Sequence, residues 1–125
     1  MCMKSKDIPF RLSGLLWRSP ELLRQLNSPA RGTQKGDVYS FGIILFEIIG
    51  RRGPWGICDL SVCAIIDRLK YPSKYGGQLF RPPLDELECP GYVKKCIRDC
   101  WHEDPEVRSD FRFINIQLRE MQSGL

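Results

Sequence analysis

The chain has 125 residues, 42% hydrophobic and 27% charged, with a formal net charge of +4, which fits one ordinary globular domain. Its positive residues are scattered, with short pairs at Arg51-Arg52 and Lys94-Lys95, and no basic stripe or recognition motif marks nucleic acid as a partner. Met1 to Phe10 lacks the apolar core of a secretory signal. The most apolar run, Val38 to Ile49, is about half the ~20 residues of a membrane span and contains Glu47, so no membrane segment is expected.

Residues 1–14 read as irregular and 122–125 as a tail. Ser19-Pro20-Glu21 starts a short helix with a hydroxyl N-cap, a proline at the first helical position and an acid in the first turn. It runs through Leu22, Leu23 and Arg24 and stops at Asn27-Ser28-Pro29. The second helix spans about Gly36 to Ile49. Its apolar residues cover nearly the whole circumference, which predicts a central helix with neighbours on every side. Gly50 and then Gly53-Pro54 end it. Asp59 or Ser61 caps a third helix, with Val62, Ile65, Ile66 and Leu69 on one face. Pro72, Gly76, Gly77, Pro82 and Pro83 mark a long irregular connection. A fourth helix sets Val93, Cys96, Ile97, Cys100 and Trp101 against a charged face of Lys94, Lys95, Arg98 and Asp99. The last, about Ser109 to Met121, points Phe111, Ile114, Leu118 and Met121 inward. No stretch alternates as a strand does. The expected fold class is all-α, about five helices around one apolar helix.

Six cysteines could staple a small fold. The long amphipathic patterns provide a core without such staples, however, and no sign of an oxidising compartment is present. Cys96 and Cys100 lie four apart near His102, yet the usual zinc spacing of two cysteines separated by two residues is absent. The cysteines read as reduced, packed thiols, and no metal site is expected.

Three segments carry a resemblance. Ser19-Pro20-Glu21 looks like the Ala-Pro-Glu signature that closes a kinase activation segment. Asp37-Val38-Tyr39-Ser40-Phe41-Gly42 looks like the start of the central helix of a kinase C-lobe. Cys100-Trp101-His102-Glu103-Asp104-Pro105, followed by Arg108 and Phe111, resembles the ending of tyrosine-kinase-like domains, with Ser109 where that pattern has a proline. Their order and separation make residues 15–121 similar to the protein-kinase superfamily, as a helical C-lobe. In detail, Leu15-Leu16-Trp17-Arg18-Ser19-Pro20-Glu21-Leu22-Leu23-Arg24, Gly32 through Leu45, and Phe80-Arg81-Pro82-Pro83-Leu84 resemble the kinase homology domain of receptor guanylate cyclases.

The resemblance implies structural roles. It pairs Glu21 with Arg108, joining the activation-segment helix to the last loop; a guanidinium fork meets a carboxylate bidentately. Removing one partner of such a buried pair costs roughly 3–5 kcal/mol. Asp37 fits the first turn of its helix by simple electrostatics; the resemblance adds that it would hold backbone N–H groups of a catalytic loop lying outside this sequence. Pro20, Phe41 and Gly42 belong to the matched segments, and Trp101 is expected to pack on the core. Arg51-Arg52-Gly53-Pro54-Trp55 reads as a turn packed on the next helix, with docking as the alternative.

Phosphoryl transfer needs a glycine-rich loop, a strand lysine, a catalytic Asp and Asn, and a metal-binding Asp. None of these patterns occurs here. They would precede Leu15, so the chain is expected to be a piece of a longer protein, with no catalytic residue and no cofactor of its own. The function implied is a regulatory pseudokinase segment of a receptor guanylate cyclase, at the cytoplasmic side of the plasma membrane in a homodimeric parent. Its partners would be the rest of its kinase-like domain and a cyclase domain. ATP would belong to the absent N-lobe cleft, and GTP and Mg to the absent cyclase domain. The alternative is the C-lobe of an active tyrosine-kinase-like enzyme. In either case, apolar surface should lie exposed around the helix from Asp37 to Ile49.

Overall fold

The Thr33 side chain accepts a hydrogen bond from the Gly36 N–H at 2.9 Å, and this cap starts the longest helix two residues earlier than the sequence suggests. The computed structural model describes residues 14–25 and 32–123. The irregular reading of residues 1–13, the stop at Asn27-Ser28-Pro29, and Cys2 lie outside them, as do residues 124–125. The described residues form five α-helices: α1 (Pro20–Leu23), α2 (Gln34–Gly50), α3 (Val62–Lys70), α4 (Gly91–Cys100) and α5 (Phe111–Ser123). A 3-10 turn, Gly14–Trp17, precedes α1, two more, Pro72–Tyr75 and Leu84–Glu86, lie between α3 and α4, and no strand occurs among the described residues. The fold is all-α, as expected.

Helix α2 organises the core. Its Tyr39, Ile43 and Phe46 meet Leu84, Ile97 and Trp101 in one buried cluster, and its Val38 meets Cys96, Cys100 and Ile114 in another. A third cluster, Leu16, Trp55, Ile65 and Leu69, joins α3 to the first 3-10 turn. The approach of α2 to α4 depends on Gly42: a Cβ there would sit 2.9 Å from Cys100 Cβ and 3.4 Å from the Ile97 carbonyl oxygen. Glu47, the charge inside the apolar run, accepts from Trp17 Nε1 at 3.2 Å, while the Ser40 hydroxyl donates to the Trp17 carbonyl at 2.5 Å.

Several sequence expectations need correcting. Helix α2 is not covered on every side: Ile44 is 40% exposed and Ile48 63%, because no described element lies over that stripe. This is the apolar exposure anticipated around Asp37 to Ile49. Gly50 does not supply the left-handed terminus; it is the last helical residue, and Arg51 takes φ 57° instead. Gly50 is glycine for space, since a Cβ would lie 3.0 Å from Leu87 Cδ2. Ser19 has N-cap backbone geometry, yet its side chain makes no capping bond. Ser61, of the two candidates, caps α3 through the Ala64 N–H. Helix α5 starts later than Ser109, with Asp110 accepting from the Phe113 N–H at 2.8 Å. Phe111 is 45% exposed rather than inward, touching Phe41 edge-on at 6.1 Å between centroids. The connection after α3 is partly ordered by its two 3-10 turns, with Gly76 and Gly77 at φ 82° and 79° following the first.

Candidate functional site

The loop from α4 to α5 is built to present one side chain. Asp104 and Pro105 form a tight turn: the Asp104 N–H donates to His102 Nδ1, the Glu106 N–H to Asp104 Oδ1, and the Arg108 N–H to the Pro105 carbonyl. That turn sends Arg108 inward, where its side chain is 0% exposed. Glu21 reaches it from the first turn of α1, where Pro20 is fully buried.

The two meet as a bidentate pair, Arg108 Nη2 to Glu21 Oε1 at 2.7 Å and Nη1 to Oε2 at 2.8 Å. Arg108 also donates from Nε to the His102 carbonyl at 2.7 Å and from Nη1 to the Lys35 carbonyl at 3.0 Å. Lys35 Nζ in turn donates to the Arg108 carbonyl at 2.6 Å. One guanidinium therefore ties α1, the N-terminus of α2 and the final loop together. Burial pushes the Glu21 carboxyl up, but the Arg108 hydrogen bonds and charge outweigh it and hold the group below the usual carboxylate range. Glu21 is thus a locked anion, the opposite of an acid poised to give up a proton.

A second ionic junction lies beside the first, and nothing in the sequence reading singled it out. Glu103 accepts from Arg24 Nη2 at 2.7 Å and from Arg81 Nη2 at 3.0 Å. Arg24 also donates to the Leu69 and Lys70 carbonyls at the end of α3. Tyr39, fully buried, has the guanidiniums of Arg81 and Arg108 each 5.2 Å from its ring centre. These partners are separated by up to 79 residues in the chain, so no local spacing announces them.

The other singled-out residues fall elsewhere. Trp101 is 5% exposed, packs against Phe46 at 6.0 Å between ring centroids, and its carbonyl accepts from Arg81 Nε. Phe41 and Gly42 face α5 and α4 from α2. Asp37 stands exposed in the first turn of α2, and none of the described residues bonds its carboxylate. Cys96 and Cys100 are buried, and contact with Cys96, together with burial, pushes the Cys100 thiol up, away from thiolate chemistry. The described residues contain no cluster of three or more His, Cys, Asp or Glu able to hold a metal ion. The arrangement positions helices; no nucleophile, base and orienting group converge in it.

The family model for protein tyrosine and serine/threonine kinases matches residues 5–118. The chain belongs to this family. Its all-helical fold is that of a kinase C-lobe. Within the family it is similar to the kinase-like region of receptor guanylate cyclases. It is 50% identical over 116 residues to guanylate cyclase 32E of Drosophila melanogaster, covering 91% of this chain and 10% of that protein. It is 45% identical over 113 residues to the receptor-type guanylate cyclase Gyc76C of Drosophila melanogaster, covering 87% of this chain and 7% of that one. To atrial natriuretic peptide receptor 2 of Anguilla japonica it is 44% identical over 108 residues, covering 85% and 10%. The kinase-like chain thus spans a tenth or less of the length of these relatives. Among the described residues, no helix is long and apolar enough to cross a membrane.

Proposed function

We propose that this C-lobe segment works as a non-catalytic brace in a receptor guanylate cyclase, passing receptor state to a cyclase domain that converts GTP to cyclic GMP. The observation that carries this reading is the Glu21–Arg108 junction, set in a sequence whose relatives are receptor guanylate cyclases. A bidentate pair with a buried guanidinium fixes orientation as well as distance, which suits a rigid element that transmits a displacement. Its partners in this reading are the rest of its own kinase-like domain and the cyclase domain, in a homodimer at the cytoplasmic side of the plasma membrane. ATP belongs to the N-lobe cleft and GTP with Mg to the cyclase.

The test is to supply the full-length protein with GTP and, separately, with ATP and a tyrosine-containing peptide. Cyclic GMP from the first and no phosphopeptide from the second is the expected result. Phosphopeptide without cyclic GMP overturns the proposal in favour of an active kinase.

A further inference from the structure

Tyr39 meets more charge than a core tyrosine ordinarily does. It is fully buried on α2, and the guanidiniums of Arg81 and Arg108 both stand over its ring, each 5.2 Å from the centre. These arginines belong to different junctions: Arg108 pairs with Glu21 at 2.7 Å, and Arg81 with Glu103 at 3.0 Å. Burial pushes the Tyr39 phenol up, so the ring stays neutral, and the charges of Arg81, Arg108, Glu103 and Glu21 all bear on it. One buried ring therefore feels both ionic junctions at once.

The contact runs through the ring and not through the hydroxyl. The Tyr39 hydroxyl is buried and has no hydrogen-bond partner among the described residues, so nothing polar fixes the side chain at its tip. The π face remains. Arg108 is buried and Arg81 only 13% exposed, so water screens their attraction to it little. Two cations brought to one ring also repel each other, and the carboxylates of Glu21 and Glu103 offset that repulsion.

A second route joins the junctions along the backbone. Arg81 Nε donates to the Trp101 carbonyl at 2.8 Å, and Arg108 Nε to the next carbonyl, that of His102, at 2.7 Å. The backbone holds each arginine at its Nε, whereas the ring meets both guanidiniums.

We infer that Tyr39 is a positioning residue whose ring couples the two junctions, so that a displacement at Arg81 is felt at the Glu21–Arg108 pair. The coupling stands on this geometry; its consequence for cyclic GMP synthesis rests on the brace reading.

The experiment introduces Arg81→Met into the full-length protein and reads hydrogen exchange at the amides of the 104–108 turn. It is repeated with Tyr39→Phe, with mono-, di- and trifluorophenylalanine in place of Tyr39, and with Tyr39→Met. Arg81→Met is expected to speed exchange about five-fold when Tyr39 is intact, a modest coupling for residues in contact, and equally with Tyr39→Phe. The response should shrink step by step with fluorination, which drains the negative ring face at nearly constant shape, and vanish with Tyr39→Met. A response that survives Tyr39→Met would assign the coupling to the Trp101–Glu103 backbone and overturn the inference. So would a response lost with Tyr39→Phe, one indifferent to fluorination, or unchanged or slower exchange when Tyr39 is intact. Should Tyr39→Met fail to fold, the fluorinated series decides alone. Cyclic GMP formation is measured in parallel. The expected exchange responses with an unchanged rate support the coupling and sink the brace reading; a lowered rate without them sinks the coupling.

Discussion

Arg108 shows how much of this structure rests on one side chain, and the asymmetry of its pair sets what a mutation should do. Arg108 is 0% exposed and Glu21 21%, so removing the glutamate charge strands the more deeply buried partner. Glu21→Gln is therefore expected to cost about 3 kcal/mol, the lower end for breaking a buried pair, because Arg108 keeps its bonds to the His102 and Lys35 carbonyls. Denaturant titration of wild type and variant measures it. The same pair predicts a pH dependence. The folded-state value of Glu21 lies below its ordinary 4.5, so the unfolded chain takes up the proton first as the pH falls. The stability gap between wild type and Glu21→Gln should be constant well above pH 4.5 and shrink as the pH falls from there through the lowered folded value. A gap that stays flat into strong acid would remove the ion pair from the account.

Among the elements, the tightest joint is between α2 and α4. Gly42→Ala places a methyl 2.9 Å from Cys100 Cβ, and the helices must part, at an expected cost of about 1–3 kcal/mol. Cys100→Ala keeps that Cβ, so it should not rescue Gly42→Ala; a thermal melt of the double variant that matches Cys100→Ala alone would sink this explanation. The helices themselves were legible in the sequence because Val62, Ile65 and Leu69, or Val93, Cys96, Ile97 and Cys100, repeat at the period of a helix. Their starts were less so. A cap depends on a side chain just outside the helix reaching back to a first-turn N–H, and Thr33 and Asp110 do so for helices that the apolar pattern alone starts at about Gly36 and Ser109. The meeting of Glu21 with Arg108 was readable through the family pattern alone. The Arg24–Glu103–Arg81 junction was not readable at all, since an isolated charge in a sequence defaults to the surface and only the tertiary fold brings these three together.

For the whole molecule, the uncovered stripe on α2 matters most. Ile44 and Ile48 are exposed there, and Phe113 and Ile116 are 48% and 50% exposed on α5. Residues 1–125 produced alone should bind a hydrophobic dye and melt broadly, the behaviour of a loosely packed state. The double variant Ile44→Glu/Ile48→Glu should lower dye binding without loss of helix by circular dichroism. A monomer with a sharp cooperative melt and no dye binding would contradict that picture.

The central claim, that this C-lobe transmits rather than catalyses, is tested most directly by the rate of cyclic GMP formation in the full-length protein carrying Glu21→Gln. If the C-lobe is the proposed brace, kcat is expected to fall while the KM for GTP stays unchanged, because the substitution lies outside the proposed cyclase domain. An unchanged kcat, or a change confined to KM, would contradict it.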